Sequence, residues 1–309
     1  MTRSSAAPSV LVIGESLVDV VREGAGERRH PGGSPMNVAY GLARLGVDTR
    51  LLTRIGTDAD GEQIRRHIAG AGVSLLEESI GAEKTSTAVA NIDRNGSATY
   101  SFDVDWRLPT LTGFQLTNWI HVGSIATFLS PGADSLERFL GALRDKRVIS
   151  YDPNIRPAMV GDHHDAVDRF ERIARLVRVL KLSDEDAAWL YPALPEESVV
   201  EKLLALGPEI VALTRGSDGA RISTGQSTAE LAAPTVEVVD TIGAGDSFMA
   251  ALISTLLTST AGGMTTRRLR RVVRLCVTAA SLTCARAGAE PPTLTELTDA
   301  LHRPTKSTR

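Results

Sequence analysis

At 309 residues, with 42% hydrophobic and 23% charged residues, the chain is long enough for a substantial core and too ordinary in composition for a disordered, collagenous or disulfide-built protein. Its formal net charge of −3 offers no field for nucleic acid or an acidic membrane surface. Its two cysteines, Cys276 and Cys284, fall in one predicted helix about 12 Å apart along the axis, too far to bridge each other, so a reducing, cytoplasmic setting is expected.

After eight residues without pattern, Val10 to Ile13 reads as a buried strand. Gly14, Glu15 and Asp19 interrupt the apolar run too soon for a signal peptide, and VIGESLVD lacks the G-x-G-x-x-G turn of a dinucleotide-binding sheet. Residues 16–31 have no helical partner and are assigned to a small β appendage. A helix over 36–45 closes at Gly46, a strand follows over 50–55, and a helix over 61–71 closes at Gly72. Residues 87–106 alternate around Asn95-Gly96, a hairpin signal, and are placed with 16–31 in a lid over one edge of the main sheet. An ordinary surface hairpin is the alternative.

Strands over 119–122, 148–151 and 210–213 then alternate with helices over 134–144, 164–178 and 197–206, the last closed by Gly207. His163 and His164 stand between Asp162 and Asp165, but neighbouring residues on a helix point about 100° apart, so this reads as a solvated helix start rather than a metal site. A helix over 245–257 contains the longest apolar run, Phe248 to Leu257, too short to span a bilayer. RRLRRVVR, from Arg267 to Arg274, reads as a solvated helix face, and the last six residues as a loose tail. The alternation predicts an α/β fold: a mainly parallel sheet flanked by helices on both faces, one domain over 1–309, with a small β lid from 16–31 and 87–106.

The densest chemical signal is DTIGAGD, Asp240 to Asp246, followed at once by the apolar SFMAALISTLL. Gly243 and Gly245 let the backbone curl with its N–H groups inward, and the helix start adds unpaired donors and the positive end of its dipole, so an anion should bind there. A carboxylate in such a loop makes sense if Asp246 takes the proton of a hydroxyl that attacks a phosphate. The alternative is that Asp246 caps the helix. A second glycine-rich helix start, PGGSPMN from Pro31 to Asn37, offers backbone and amide groups suited to a polyhydroxylated ligand, with Pro35 in the first turn. A third, TRGSDG from Thr214 to Gly219, supplies donors for phosphate or simply joins two strands.

Together and in this order, the three sites resemble the ribokinase-like (pfkB) family of carbohydrate kinases, from Val10 to about Pro292. GGSPMNVAYGLARLG, and DPNIRP from Asp152 to Pro157, look most like the fructokinase branch; Ser34 stands where ribokinases and phosphosugar kinases typically carry the lysine of GGKG. The resemblance implies that Asp246 is the catalytic base and that the amides of Gly243, Ala244 and Gly245 form the anion hole. It implies sugar binding by Asp19, Gly32, Gly33, Asn37 and Arg156, and nucleotide binding by Ser183, Thr214, Gly216, Asp218 and Gly219. It further implies a Mg²⁺ ion held through water by Asp186, and a monovalent cation, potassium in many relatives, at Asp240 and the Ile242 carbonyl. Two departures stand out: Ser183 and Asp186 occupy the positions of an NxxE element, and Val277 stands where relatives often place Asn near the nucleotide.

On the predicted lid strand, Phe102 is placed to pack on a sugar face, with Asp103 or Asp105 accepting from hydroxyls; lid packing or a dimer contact is the alternative for Phe102 and Trp106. The implied activity is transfer of the γ-phosphoryl group of ATP to a hydroxyl of a neutral sugar, with fructose first and ribose or 2-keto-3-deoxygluconate as alternatives. The keto acid would require a cation for its carboxylate, for which Arg107 and Arg156 are candidates. A non-catalytic sugar or nucleotide sensor is the rival from another class, and a base beside phosphate argues against it. The expected partner is a small-molecule sugar; the exposed lid strands could pair with a second copy of the chain, and a capped monomeric lid is the equally weighted alternative; neither nucleic acid nor a membrane is expected.

Overall fold

The computed structural model describes residues 9–24, 26–92, 98–110, 117–257 and 264–302. The Asn95-Gly96 turn and both terminal tails lie outside the described residues. The first half of the chain runs β1 (Ser9–Ile13), β2 (Leu17–Glu23), β3 (Gly26–Gly32), α1 (Ser34–Arg44), β4 (Asp48–Leu52), α2 (Ala59–Ala71), β5 (Ser74–Leu75), β6 (Thr87–Ile92), β7 (Ala98–Asp103), β8 (Trp119–Gly123), α3 (Gly132–Leu143) and β9 (Val148–Asp152). It continues with α4 (His163–Ala174), β10 (Val179–Ser183), α5 (Asp184–Leu190), α6 (Glu196–Leu206), β11 (Ile210–Thr214), β12 (Ala220–Ser223), β13 (Thr228–Leu231), α7 (Ala244–Leu257), α8 (Thr266–Cys284) and α9 (Leu294–His302).

Nine strands form one sheet in the order β13-β12-β11-β10-β9-β8-β1-β4-β5, parallel from β11 to β5 and antiparallel at the β11-β12-β13 edge. The central parallel strands β1, β8, β9, β10 and β11 are buried on both faces, as crossover helices require. Val10, Val12, Trp119, Val179 and Ala212 pack towards α1, α7 and α8. Leu11, Ile13, Ile120, Tyr151, Leu180 and Leu213 pack on the other side, against residues of α3 to α6 such as Leu136, Phe170 and Leu203.

The predicted strand over 50–55 begins at Asp48 and ends at Leu52, leaving Ile55 only an isolated bridge to Ile80. The predicted helix over 164–178 stops at Ala174, and the segment behind it turns into β10, a central strand that sequence periodicity leaves unassigned because Lys181 interrupts its apolar run. β12 and β13 are short, and α5 spans only seven residues. Gly46, Gly72 and Gly207 adopt positive φ at or just beyond their helix ends, the backbone state that a helix stop favours.

The helix α7 is apolar nearly all round, with Phe248, Met249, Ala250, Leu252 and Ile253 all at or below 1% exposure, so it has to be covered by other helices. It packs on α1 at a close approach: a Cβ built on Gly41 would come within 2.9 Å of the Ala250 Cβ. Asn37 lies one turn before Gly41, and Asp246 one turn before Ala250, on the same faces. The tight crossing therefore brings the two helix starts together.

A second, four-stranded sheet has the order β3-β2-β6-β7, with β2-β6 parallel and the other pairs antiparallel. Val18 and Val20 of β2 are buried in the main core, whereas Tyr100 and Phe102 of β7 are 64% and 40% exposed. Trp106 packs within the chain, away from the exposed face of β7. It is buried against the start of α3, where a Cβ on Gly132 would come within 2.3 Å of its ring.

Candidate active site

A cavity of about 1150 Å³ opens at the carboxyl ends of β1, β9, β10 and β11, below the small sheet and beside the starts of α1 and α7. Ligand sites of open α/β sheets form at that edge, where the chain path diverges; here β1 leads to β4 on one side while β8 returns on the other. The only two non-glycine residues with positive φ among the described residues, Ser124 at 56° and Asn154 at 37°, both line this cavity. Strained backbone of this kind concentrates at functional sites. A smaller polar depression of about 640 Å³, between Arg29, Asp58, Gln63 and Arg66, lies apart from it.

Asp246 is the third residue of α7, inside the helix, and its side chain does not cap it. The carboxylate is 6% exposed, accepts from the Ser34 hydroxyl at 2.6 Å and from the Asn37 amide nitrogen at 2.9 Å, and lines the cavity. Each oxygen keeps a further acceptor site for a ligand hydroxyl. Gly33 makes the α1 side of this geometry possible: φ is +107°, and a Cβ there would sit 2.7 Å from the Glu15 carbonyl oxygen. Gly243 does the same for α7, with φ at +76° and a Cβ position 2.6 Å from Ala289 Cβ.

The N–H groups of Gly243, Gly245 and Asp246 meet no acceptor among the described residues, as a loop built to hold an anion needs. The Ala244 N–H departs from the expected set: it donates to the Thr241 carbonyl at 3.2 Å. The Asp246 amide takes its place among the free donors.

Of the remaining expected residues, Asp19, Gly33, Asn37, Phe102, Arg156, Ser183, Asp186, Thr214, Gly216, Gly219 and Ile242 line the cavity, and Gly32, Asp218 and Asp240 do not. Gly32 serves clearance, since a Cβ there would lie 2.1 Å from Asp19 Oδ2. Both Asp240 oxygens accept backbone N–H groups, from Ile242 at 3.0 Å and Gly288 at 2.9 Å, tying the loop to the segment after α8. The TRGSDG segment joins β11 to β12 and contributes Thr214, Gly216, Ser217 and Gly219 to the cavity wall.

Asp103 and Asp105 are corrected. Lys84 takes the first at 3.1 Å, and Arg54 and Arg107 take the second at 2.9 and 3.1 Å, outside the cavity. Arg107 is thereby removed from the site as well. Arg156 reaches the cavity with one guanidinium nitrogen held by the Asn154 side chain at 2.7 Å.

Sequence reasoning missed Ser34 as a ligand of Asp246, and it missed three buried ionisable groups. Glu15, 4% exposed at the β1–β8 divergence, accepts from the Ala126 N–H at 3.1 Å; burial, helped by Asp246, pushes its pKa up to about 8 against the hydrogen bonds of Ser124 and Ala126. Lys181 and Asp152 form an ion pair at 2.8 Å, 5% and 0% exposed. Burial pushes Asp152 up to about 6 although Lys181 pulls the other way. Burial alone would lower the Lys181 ammonium, but Asp152, Asp186 and Asp246 together raise it, so it is a cation at neutral pH.

Among the described residues no group of three or more His, Cys, Asp and Glu side chains is gathered to hold a metal directly. Asp186 is 7% exposed and accepts from Ile155 N–H at 2.8 Å and Ser183 N–H at 3.0 Å. A carboxylate oriented by backbone donors and facing a cavity fits a hydrated hard cation whose other ligands come from phosphate. It does not fit an all-protein cage.

Comparison with known proteins agrees with this geometry. The pfkB family carbohydrate kinase profile matches residues 7–296. A fructokinase of Klebsiella pneumoniae is 33% identical over 257 residues, covering 80% of this chain and 84% of that protein. A fructokinase double mutant from Vibrio cholerae, solved with fructose, ADP and potassium ion, superposes with a TM-score of 0.84 at 24% identity over 97% of this chain and all of the other. Aminoimidazole riboside kinase from Salmonella enterica, solved with aminoimidazole riboside and an ATP analogue, gives 0.81 at 25% identity over 96% of this chain. With the profile spanning nearly the whole described chain and the carboxylate, anion loop and helix starts assembled in one cavity, this protein belongs to the pfkB family of carbohydrate kinases.

Proposed function

We propose that this chain transfers the γ-phosphoryl group of ATP to a primary hydroxyl of a neutral hexose, with fructose as the preferred acceptor. One observation carries the reading: a buried carboxylate, Asp246, is held by Ser34 and Asn37 at the floor of a cavity, one residue beyond the free N–H groups of a glycine loop. Asp246 accepts the proton of the sugar hydroxyl as its oxygen forms a bond to the γ-phosphorus; the bond from that phosphorus to the bridging oxygen breaks, and ADP leaves. The free amides of Gly243, Gly245 and Asp246 receive charge that collects on the phosphoryl oxygens.

A Mg²⁺ ion on the nucleotide, held through water by Asp186, would neutralise phosphate charge. Asp240 and the Ile242 carbonyl are the proposed place for a monovalent cation. Thr214, Gly216, Ser217 and Gly219 line the side assigned to the nucleotide, with Val277 giving the base an apolar contact. Asp19, Asn37, Phe102 and Arg156 line the side assigned to the sugar, and the small sheet that carries Asp19 and Phe102 acts as the lid. A neutral sugar is favoured over 2-keto-3-deoxygluconate because Arg107 is outside the cavity and Arg156 is tied to Asn154, while Asp19 and Asp246 face the acceptor space.

An ATP-coupled phosphorylation screen tests this over fructose, other hexoses, ribose, 2-keto-3-deoxygluconate, aminoimidazole riboside and fructose 6-phosphate. Fructose should give the highest kcat/KM, and a preference for an anionic acceptor would overturn the substrate assignment. Asp246→Asn keeps a partner for both Ser34 and Asn37, so it should fold and bind sugar while kcat falls by roughly 10³-fold or more. Retention of turnover within tenfold would remove Asp246 as the base.

A further inference from the structure

Lys181 is used by nothing in that scheme, yet it is the most deeply placed cation of the site. In the β9–β10 register Val179 lies opposite Ser150, which carries Lys181 to the level of Asp152 at the strand ends. Its Nζ donates to Asp152 Oδ2 at 2.8 Å. An ammonium has three donors, and no second acceptor meets this one among the described residues. On its other side stands the anion loop. A Cβ built on Gly245 would come within 3.0 Å of Nζ, and no Asp152 atom lies within 4 Å of that point. The ammonium is thus nearer to the loop than its own carboxylate partner is, and it is electrostatically coupled to Asp246 and Asp186 as well.

A plain structural salt bridge would have its donors consumed and its partner symmetric with it. Here a buried cation with spare donors lies directly beneath the glycine, and three carboxylates, Asp152, Asp186 and Asp246, share it. Bringing an anionic phosphoryl group to such an acidic site is unfavourable unless a fixed positive charge lies close to the incoming group. We infer that Lys181 is a positioning residue of phosphoryl transfer, supporting the Gly243–Gly245 loop from below and offsetting the negative charge of the acceptor end when the terminal phosphate arrives. This deepens the kinase reading and rests on it; Asp152 serves to anchor the ammonium.

The test is a cycle of Lys181→Met, Asp152→Asn and the double variant, read by melting temperature, by kcat and sugar KM, and by calorimetric binding of the β,γ-imido analogue of ATP with Mg²⁺. Lys181→Met leaves Asp152 buried without a counter-charge and should melt early. The double variant removes both charges and should regain most of the wild-type melting temperature. If Lys181 serves the loop, the double variant should nevertheless keep kcat at least about tenfold down, with sugar KM within about threefold, and bind the analogue about tenfold more weakly. Asp152→Asn keeps an acceptor for the ammonium and should lose less kcat than either variant that lacks the cation.

Recovery of kcat together with stability in the double variant, or an equal loss in both single variants, would show an ordinary structural pair. If the wild type phosphorylates none of the sugars, the substrate reading fails, and the calorimetric comparison still judges Lys181. Equal analogue binding by wild type and double variant overturns the inference.

Discussion

The two ends of the cavity are built differently. At the acceptor end, Glu15, Ser34, Asp152, Lys181 and Asp246 are all buried, and each side chain is held by a named partner from another element. At the opposite end the wall runs through the irregular segment 232–242, where Val238, Val239 and Ile242 are each about 60% exposed. Fixed geometry is concentrated where a bond must form, and broad, replaceable surface is placed where a ligand need only be gripped. Substitutions at the buried end should therefore act on kcat and stability, and those at the open end on KM.

After the loss of the base itself, the largest expected effect within the buried end comes from Gly243→Ala. The alanine would have to hold φ at +76° with its Cβ 2.6 Å from Ala289, so the anion loop must open. A kcat loss of roughly 10²-fold with sugar binding retained is expected, and unchanged turnover would mean that the loop does not shape the reacting geometry.

Glu15 gives a different kind of break. Its folded pKa of about 8 stands above the ordinary 4.5, so between those values the folded protein keeps a proton that the unfolded chain has released. Stability is therefore fully present at or below pH 4.5 and is lost as pH rises towards 8. Glu15→Gln keeps an acceptor for the Ala126 N–H and removes the titration. In urea denaturation the variant should gain on the wild type by on the order of a few kcal/mol across that window, with no difference at its acid end. Parallel curves would show that Glu15 is not held protonated.

Ser34→Ala removes the 2.6 Å hydrogen bond to Asp246 and leaves the Asn37 contact in place. About a tenfold loss of kcat is expected, with little change in sugar KM, because the bond orients the base and does not touch the ligand. An effect confined to KM would instead place the Ser34 hydroxyl on the sugar.

What sequence made legible was local. DTIGAGD places its turn, helix start and carboxylate in seven consecutive residues, so no long-range pairing is needed to see them. The alternation around residues 87–102 likewise marks a hairpin apart from the main layer. The pairing of Lys181 with Asp152 was invisible for the opposite reason: they lie 29 residues apart on different strands, and a lone lysine in VLKLS reads as an interruption rather than a site. Asp105 was misplaced because its arginine, Arg54, is 51 residues away. Glu15 showed only as a break in an apolar run; its burial is decided by Ser124 and Ala126, which fold over it after β8.

The open end supplies the smallest expected effect and the sharpest contrast. Val238 is 61% exposed, lines the cavity and belongs to no helix or strand, so Val238→Ser should leave the fold and the acceptor end unchanged. Its methyl groups offer a bound nucleotide a few tens of Å² of apolar contact, worth about 0.7 kcal/mol at the usual coefficient. Nucleotide KM should rise about threefold with kcat and sugar KM unchanged. A fall in kcat instead would mean that segment 232–242 helps to order the Gly243–Gly245 loop, and that the two ends of the cavity are mechanically one.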